Sequence, residues 1–158
     1  MIQINPQSCI PDFNLKYRLA YLVFVVLFSS YIDLHQKSTA KTHEKAIAGK
    51  ISGLIGLHET VTWRARHLGF YQNLTTKIIH MHRPYDFTDI MIQGIFKYIK
   101  HQHIFRKIKN YTVMIDIFEF ESPGGIIGKF FNLIFLKNYM KNLLEERNEI
   151  MKKAAEQR

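Results

Sequence analysis

The chain has one cysteine, Cys9, in 158 residues. No internal disulfide can form, and a structural zinc site built on cysteines is excluded. A reducing, cytoplasmic setting fits that usage. Proline is also sparse: there are four, the last being Pro123, so no proline breaks a helix after that point. Lys and Arg outnumber Asp and Glu by 22 to 13, a net charge of +9, yet no run of four or more basic residues occurs. The basic residues alternate with apolar ones, as on a solvated strand face, and nucleic acid is not expected as a partner. Gly-x-x-x-x-Gly-Lys, Gly-x-Ser-x-Gly and His-Glu-x-x-His are all missing. Phosphate-loop, nucleophile-elbow and zincin chemistries therefore have no footing.

Long apolar runs are also lacking. Leu19 to Ile32 is uncharged and follows Lys16 and Arg18, but it has only fourteen residues, against about 20 for a membrane span. No small-x-small cleavage site follows it cleanly. We read it as a buried helix; weak membrane association through Leu19–Ile32 is the rival reading. With 47% hydrophobic and 22% charged residues, the chain suits one globular domain. The expected division is an N-terminal extension, 1–12, without periodicity, and a single domain, 13–156.

Phe13, Leu15, Tyr17 and Leu19 alternate with polar residues and suggest a first strand. Ala20 to Ser30 and roughly Thr39 to Ala46 follow as two short helices. Glu59–Leu68, Tyr71–Met81, Phe87–Gln93, Lys97–Ile108 and Tyr111–Glu121 read as strands, separated by turn-like segments at Gly69-Phe70, His82–Tyr85, Gly94–Phe96 and Lys109-Asn110. After Ser122-Pro123-Gly124-Gly125 the period becomes helical as far as about Glu156. Ile127, Phe130, Phe131, Ile134, Phe135, Asn138, Leu143 and Ile150 trace its apolar stripe. The result is an α+β protein with a curved antiparallel sheet and one long C-terminal helix.

The turns fix registers. They set Trp63 opposite Thr76, Ala65 opposite Leu74, Met91 opposite Ile99, Asp89 opposite His101, His103 opposite Asp116, and Phe105 opposite Met114. Along Ile99–Lys107, Ile99, His101, His103 and Phe105 share one face. Asp89, His101, His103 and Asp116 then converge across three strands, with facing Cβ atoms about 5 Å apart. A mostly apolar face carrying two histidines has the form of a small-molecule site.

Two roles follow for the cluster. The imidazoles can orient the polar end of a ligand, or His101 or His103 can act as an acid–base group with Asp89 or Asp116 as its orienting partner. Two histidines at i, i+2 also form a metal donor set. Histidines hydrogen-bonded to aspartates are the preferred reading, so neither metal nor cofactor is expected. Trp63, Phe87, Met91, Phe105 and Phe118 are the candidate apolar walls, and His67 joins the polar set.

The runs Ile32-Asp33-Leu34-His35-Gln36, Ala46-Ile47-Ala48-Gly49 and Gly53-Leu54-Ile55-Gly56-Leu57-His58-Glu59-Thr60-Val61-Thr62-Trp63 resemble bacterial members of the START-like superfamily, also called SRPBCC. So do Phe87-x-Asp89, Gly94-x-Phe96, His101-Gln102-His103-x-Phe105, and Asp116 leading to Ser122-Pro123. The resemblance covers roughly Ala20 to Lys153. It implies a helix-grip architecture, the sheet wrapped around the C-terminal helix with two short helices after the first strand. Such relatives include polyketide cyclase/dehydratase-like proteins, coenzyme Q-binding proteins and lipid-transfer domains. The sequence departs from them before Ala20, and Tyr21 stands where an Ala-Pro helix start is usual.

The expected function is binding, transport or sequestration of a hydrophobic or amphipathic, lipid-like small molecule between sheet and helix. A cyclase/dehydratase-like enzyme is the alternative, and membrane-associated lipid handling the second. Superfamily membership alone does not choose between them.

Overall fold

A computed structural model describes residues 2–4, 7–11, 30–67, 69–108, 111–124 and 135–156. Its described strands are β1 (Ile2–Ile4), β2 (Gln7–Pro11), β3 (Lys45–Gly49), β4 (Thr60–His67), β5 (Phe70–His82), β6 (Asp86–Gln93), β7 (Tyr98–Ile108) and β8 (Tyr111–Glu121). Its described helices are α1 (Ile32–Ser38), a 3-10 turn at Ala40–Thr42, and α2 (Lys137–Glu156). The strands form one antiparallel sheet in the order β1-β8-β7-β6-β5-β4-β3, and β2 also pairs with β8. This is the helix-grip α+β fold.

Alternation decides which side chains face α2. On β4, Val61, Trp63 and Ala65 are buried; on β7, Ile99, His101, His103 and Phe105; on β8, Met114, Asp116, Phe118 and Phe120. The sheet bends where β6 shifts register on β5, between Thr75 and Thr76 and between Ile78 and His80. An unpaired residue at such a bulge increases local twist. Two apolar clusters fill the concave side. One joins Trp63, Phe87, Phe105 and Met114 to Met151 of α2. The other joins Ile99, Phe118 and Phe120 to Leu136 and Leu144.

Several expectations change. Residues read as a structureless extension contribute β1 and β2, because Ile2–Ile4 and Gln7–Pro11 find hydrogen-bonding partners on β8. The predicted helix at Thr39–Ala46 is instead a 3-10 turn and the start of β3, since Lys45 and Ala46 pair with Arg64 and Trp63. β4 and β5 turn over between His67 and Phe70, which pair with each other. Trp63 therefore faces Leu74, and Ala65 faces Gln72. That slip of two residues keeps every side chain on its predicted face. The strand expected at Phe13–Leu19, the helix expected at Ala20–Ser30 (Ser30 excepted), the turn at Lys109-Asn110 and the helical residues 126–134 lie outside the described residues.

Gly49 ends β3 with φ +71°, and a Cβ there would meet the Thr60 carbonyl oxygen at 2.3 Å. The Lys50 N–H donates to that same oxygen. Gly49→Ala is accordingly expected to destabilise the fold by more than about 1 kcal/mol. Urea unfolding reads this directly, and an unchanged midpoint would show that the backbone at Gly49 is free to relax.

Candidate functional site

Strand pairing builds the centre of the site. Asp89 of β6 lies opposite His101 of β7, and His103 lies opposite Asp116 of β8, as the turns predicted. The side chains then lean across the ladder. His103 Nδ1 approaches Asp116 Oδ1 at 2.7 Å, and His101 Nε2 approaches the same oxygen at 3.3 Å. Asp89 Oδ1 is 3.7 Å from His103 Nε2. The two imidazole rings are in contact, with centroids 3.9 Å apart, and Phe87 stacks on His103 at 4.1 Å. Among the described residues, His101 Nε2, His103 Nδ1 and Asp116 Oδ1 are buried without an aligned hydrogen bond.

Sequence reasoning missed the group that anchors this set. Arg147 of α2 donates from Nη2 to Asp116 Oδ2 at 2.8 Å, and Asn148 Oδ1 accepts from the same guanidinium. Asp116 is 0% exposed and Arg147 5%. The buried face begins at Leu136, just before α2, and runs through Leu144, Arg147, Asn148 and Met151 of α2. The predicted stripe was out of phase: Phe135 and Asn138 are exposed, and Leu143 and Ile150 only half-buried. Leu136, Met140, Leu144, Arg147, Met151 and Ala154 repeat at three- and four-residue steps, so an arginine on an apolar stripe was the available signal.

The charges sort themselves by environment. Burial would raise the Asp116 carboxyl, but Arg147 and His103 hold it well below the usual range. Burial likewise opposes ionisation of Asp89, and the close approach and charge of His103, with the charge of His101, still lower it. Burial and the neighbouring His103 push His101 down to about 4, against the pull of Asp116. Burial also works against His103, but Asp116 and Asp89 outweigh it and raise it. Of the two imidazoles, His103 holds the proton. Two carboxylates thus face one imidazolium and one guanidinium.

This set opens on a cleft of about 70 Å³ lined by Trp63, Phe87, Asp89, His101, His103 and Arg147, with His35 of α1 and the apolar Ile32, Ile55, Val61 and Ile78 around them. Trp63, 7% exposed, stacks on His35 at 4.3 Å. Its other side faces a second cavity of about 40 Å³ that holds Glu44, His67 and Leu74. There His67 Nδ1 and the Tyr139 hydroxyl share a hydrogen bond of 2.8 Å. Burial lowers His67 against the pull of Glu44, while burial and Glu44 raise Tyr139.

Of the sequence candidates, Trp63, Phe87, Asp89, His101 and His103 meet in the main cleft, and His67 lies in the second cavity. Asp116 sits behind the imidazoles. Phe105 is core, stacked behind Phe87, and Phe118 meets His101 edge-on. Met91 packs on the second apolar cluster. None of these four lines either cavity.

No protein-family model and no curated protein sequence matches the chain. Solved structures do. The protein TTHA0849 from Thermus thermophilus is 11% identical, with a TM-score of 0.76 over 98% of this chain and 97% of that one. Ginseng major latex-like protein 151 from Panax ginseng is 14% identical, with a TM-score of 0.66 over 97% and 96%. Norcoclaurine synthase from Thalictrum flavum, solved with dopamine and hydroxybenzaldehyde, is 12% identical, with a TM-score of 0.67 over 97% and 85%. These structures share the START-like helix-grip fold with this chain.

Proposed function

We propose that the protein binds a small amphipathic molecule whose polar end enters the cleft beside Asp89, His101, His103 and Arg147. The observation that carries this reading is a buried ionic set lining a mostly apolar cleft. Buried charge costs free energy unless it is matched, and a site that keeps four ionisable groups against open space is arranged to receive a polar atom. At about 70 Å³, the cleft is well below the roughly 300–1,000 Å³ of pockets that enclose a drug-sized molecule. A guest therefore inserts one end, with Trp63 and Phe87 against its apolar neck. The helix-grip neighbours support a ligand-binding role in kind. The proposed setting is bacterial and cytoplasmic; among the described residues no helix is long and apolar enough to cross a membrane.

Native mass spectrometry of freshly purified full-length protein tests this. The expected result is a co-purified mass released on denaturation. His101→Gln with His103→Gln is expected to weaken rebinding of that species about tenfold, which is about 1.4 kcal/mol. The same pair should leave the neutral apolar probe N-phenyl-1-naphthylamine unaffected. Protein that is repeatedly empty would sink the carrier reading, and equal losses for both ligands would sink the orienting role of the histidines.

An acid–base enzyme of cyclase or dehydratase type is the second reading. It is favoured by the contact of the two imidazoles, each within reach of the Asp116 carboxylate, and by the norcoclaurine synthase neighbour. A carrier returns its guest with unchanged mass, whereas an enzyme releases an altered one. The same mass measurement, followed over time, separates the two.

A further inference from the structure

We propose that Asp89, His101 and His103 together bind a divalent transition-metal ion of the zinc class, with Asp116 and Arg147 as the support behind the imidazoles. One ligand atom from each of the three residues lies within 4.8 Å of the others. All three side chains line the main cleft, so the ion would keep open positions for water or a guest atom. Two imidazoles and one carboxylate are a donor set that zinc and its neighbours take readily.

Two observations favour an ion over a closed hydrogen-bonded pair. The 3.7 Å between Asp89 Oδ1 and His103 Nε2 is too long for a hydrogen bond. It is close to the separation of two ligands of one ion, about 3.4 Å in a tetrahedral site with bonds of about 2.1 Å. The other ring nitrogen, His103 Nδ1, is 2.7 Å from Asp116 Oδ1, and a carboxylate behind a histidine is the usual means of aiming the opposite nitrogen at a metal. Asp89 can close the remaining gap, because its side chain is at the cleft wall and 15% exposed.

This inference uses the same cleft as the proposed guest site but stands whether or not an organic molecule enters it.

The test uses the full chain, stripped with a chelator and dialysed. Zinc is titrated calorimetrically, and cobalt is followed by its visible absorption. One ion per chain is expected, with cobalt bands of an imidazole-ligated site. Asp89→Asn and His101→Gln should each weaken zinc binding by more than about tenfold, with circular dichroism showing that both variants are folded. Asp89→Asn keeps the side-chain volume and lies at the cleft wall, so it isolates the ligand from the core. The exposed group His80, His82 and Asp86 supplies the control, and His80→Gln with His82→Gln should bind zinc as the parent does. The proposal falls if no saturable site appears. It also falls if binding survives Asp89→Asn and His101→Gln but is lost in the His80/His82 variant. Binding of N-phenyl-1-naphthylamine to the metal-free protein is measured in parallel, so failure of the guest reading is seen separately.

Discussion

Asp116→Ala is expected to lower the folding free energy by about 3–5 kcal/mol, the cost of leaving buried charge without its partner. The carboxylate is fully enclosed and holds Arg147 through one oxygen and both imidazoles through the other. Its removal strands the guanidinium between the two apolar clusters, since Leu144 and Met151 flank Arg147 on α2. Asp116→Asn keeps the volume and loses the charge, and is expected to recover little. Arg147→Met in the Asp116→Ala background removes the stranded cation and should recover a measurable part of the loss. Such coupling is what a double-mutant cycle measures. Urea unfolding with a constant slope gives each number. A loss below about 1 kcal/mol for Asp116→Ala would mean that water reaches Arg147 and that the set is not sealed.

Trp63→Ala carries the second large effect. Truncating a buried tryptophan costs about 3–5 kcal/mol through lost contacts and the void left behind. Here the void has a particular place, because Trp63 lines both the main cleft and the second cavity. Its removal joins the two and adds the volume of the indole. The variant should be less stable yet bind N-phenyl-1-naphthylamine more tightly than the parent. Trp63→Phe keeps most of the partition and should fall between them on both measures. If Trp63→Ala bound the probe no better, the walls must have collapsed inward, and the partition would have no bearing on guest size.

Much of this site is legible from strand alternation alone. Ile99, His101, His103 and Phe105 share a face because consecutive strand residues point to opposite sides, and no tertiary contact can change that parity. The facing pairs of Asp89 with His101 and of His103 with Asp116 follow from turn positions. Placing the β4–β5 turn one residue too far along the chain slips the pairing by two, and an even slip leaves the faces untouched. Helix phase is harder to read. A rotation of about 100° per residue means that a one-residue error turns a stripe away from the sheet, and that error hid Arg147. The approach of His103 to both carboxylates was also invisible, since ladder pairing fixes backbones while side chains lean diagonally. Met1–Pro11 shows no alternation long enough to read, and its strands exist only because β8 offers them partners. Cavity size depends on how Phe105, Met114 and Phe120 fill the concave side, which composition does not encode.

The long strands β5, β7 and β8, of 13, 11 and 11 residues, are all interior, while β1, β2 and β3 at the margins have three, five and five. β2 stops at Pro11, and β3 breaks its ladder between Ala46 and Ala48. Margins this short and kinked offer a second molecule few free amides to add a strand to. Among the described strands, no long flat margin is left for a second copy of the chain to stack on.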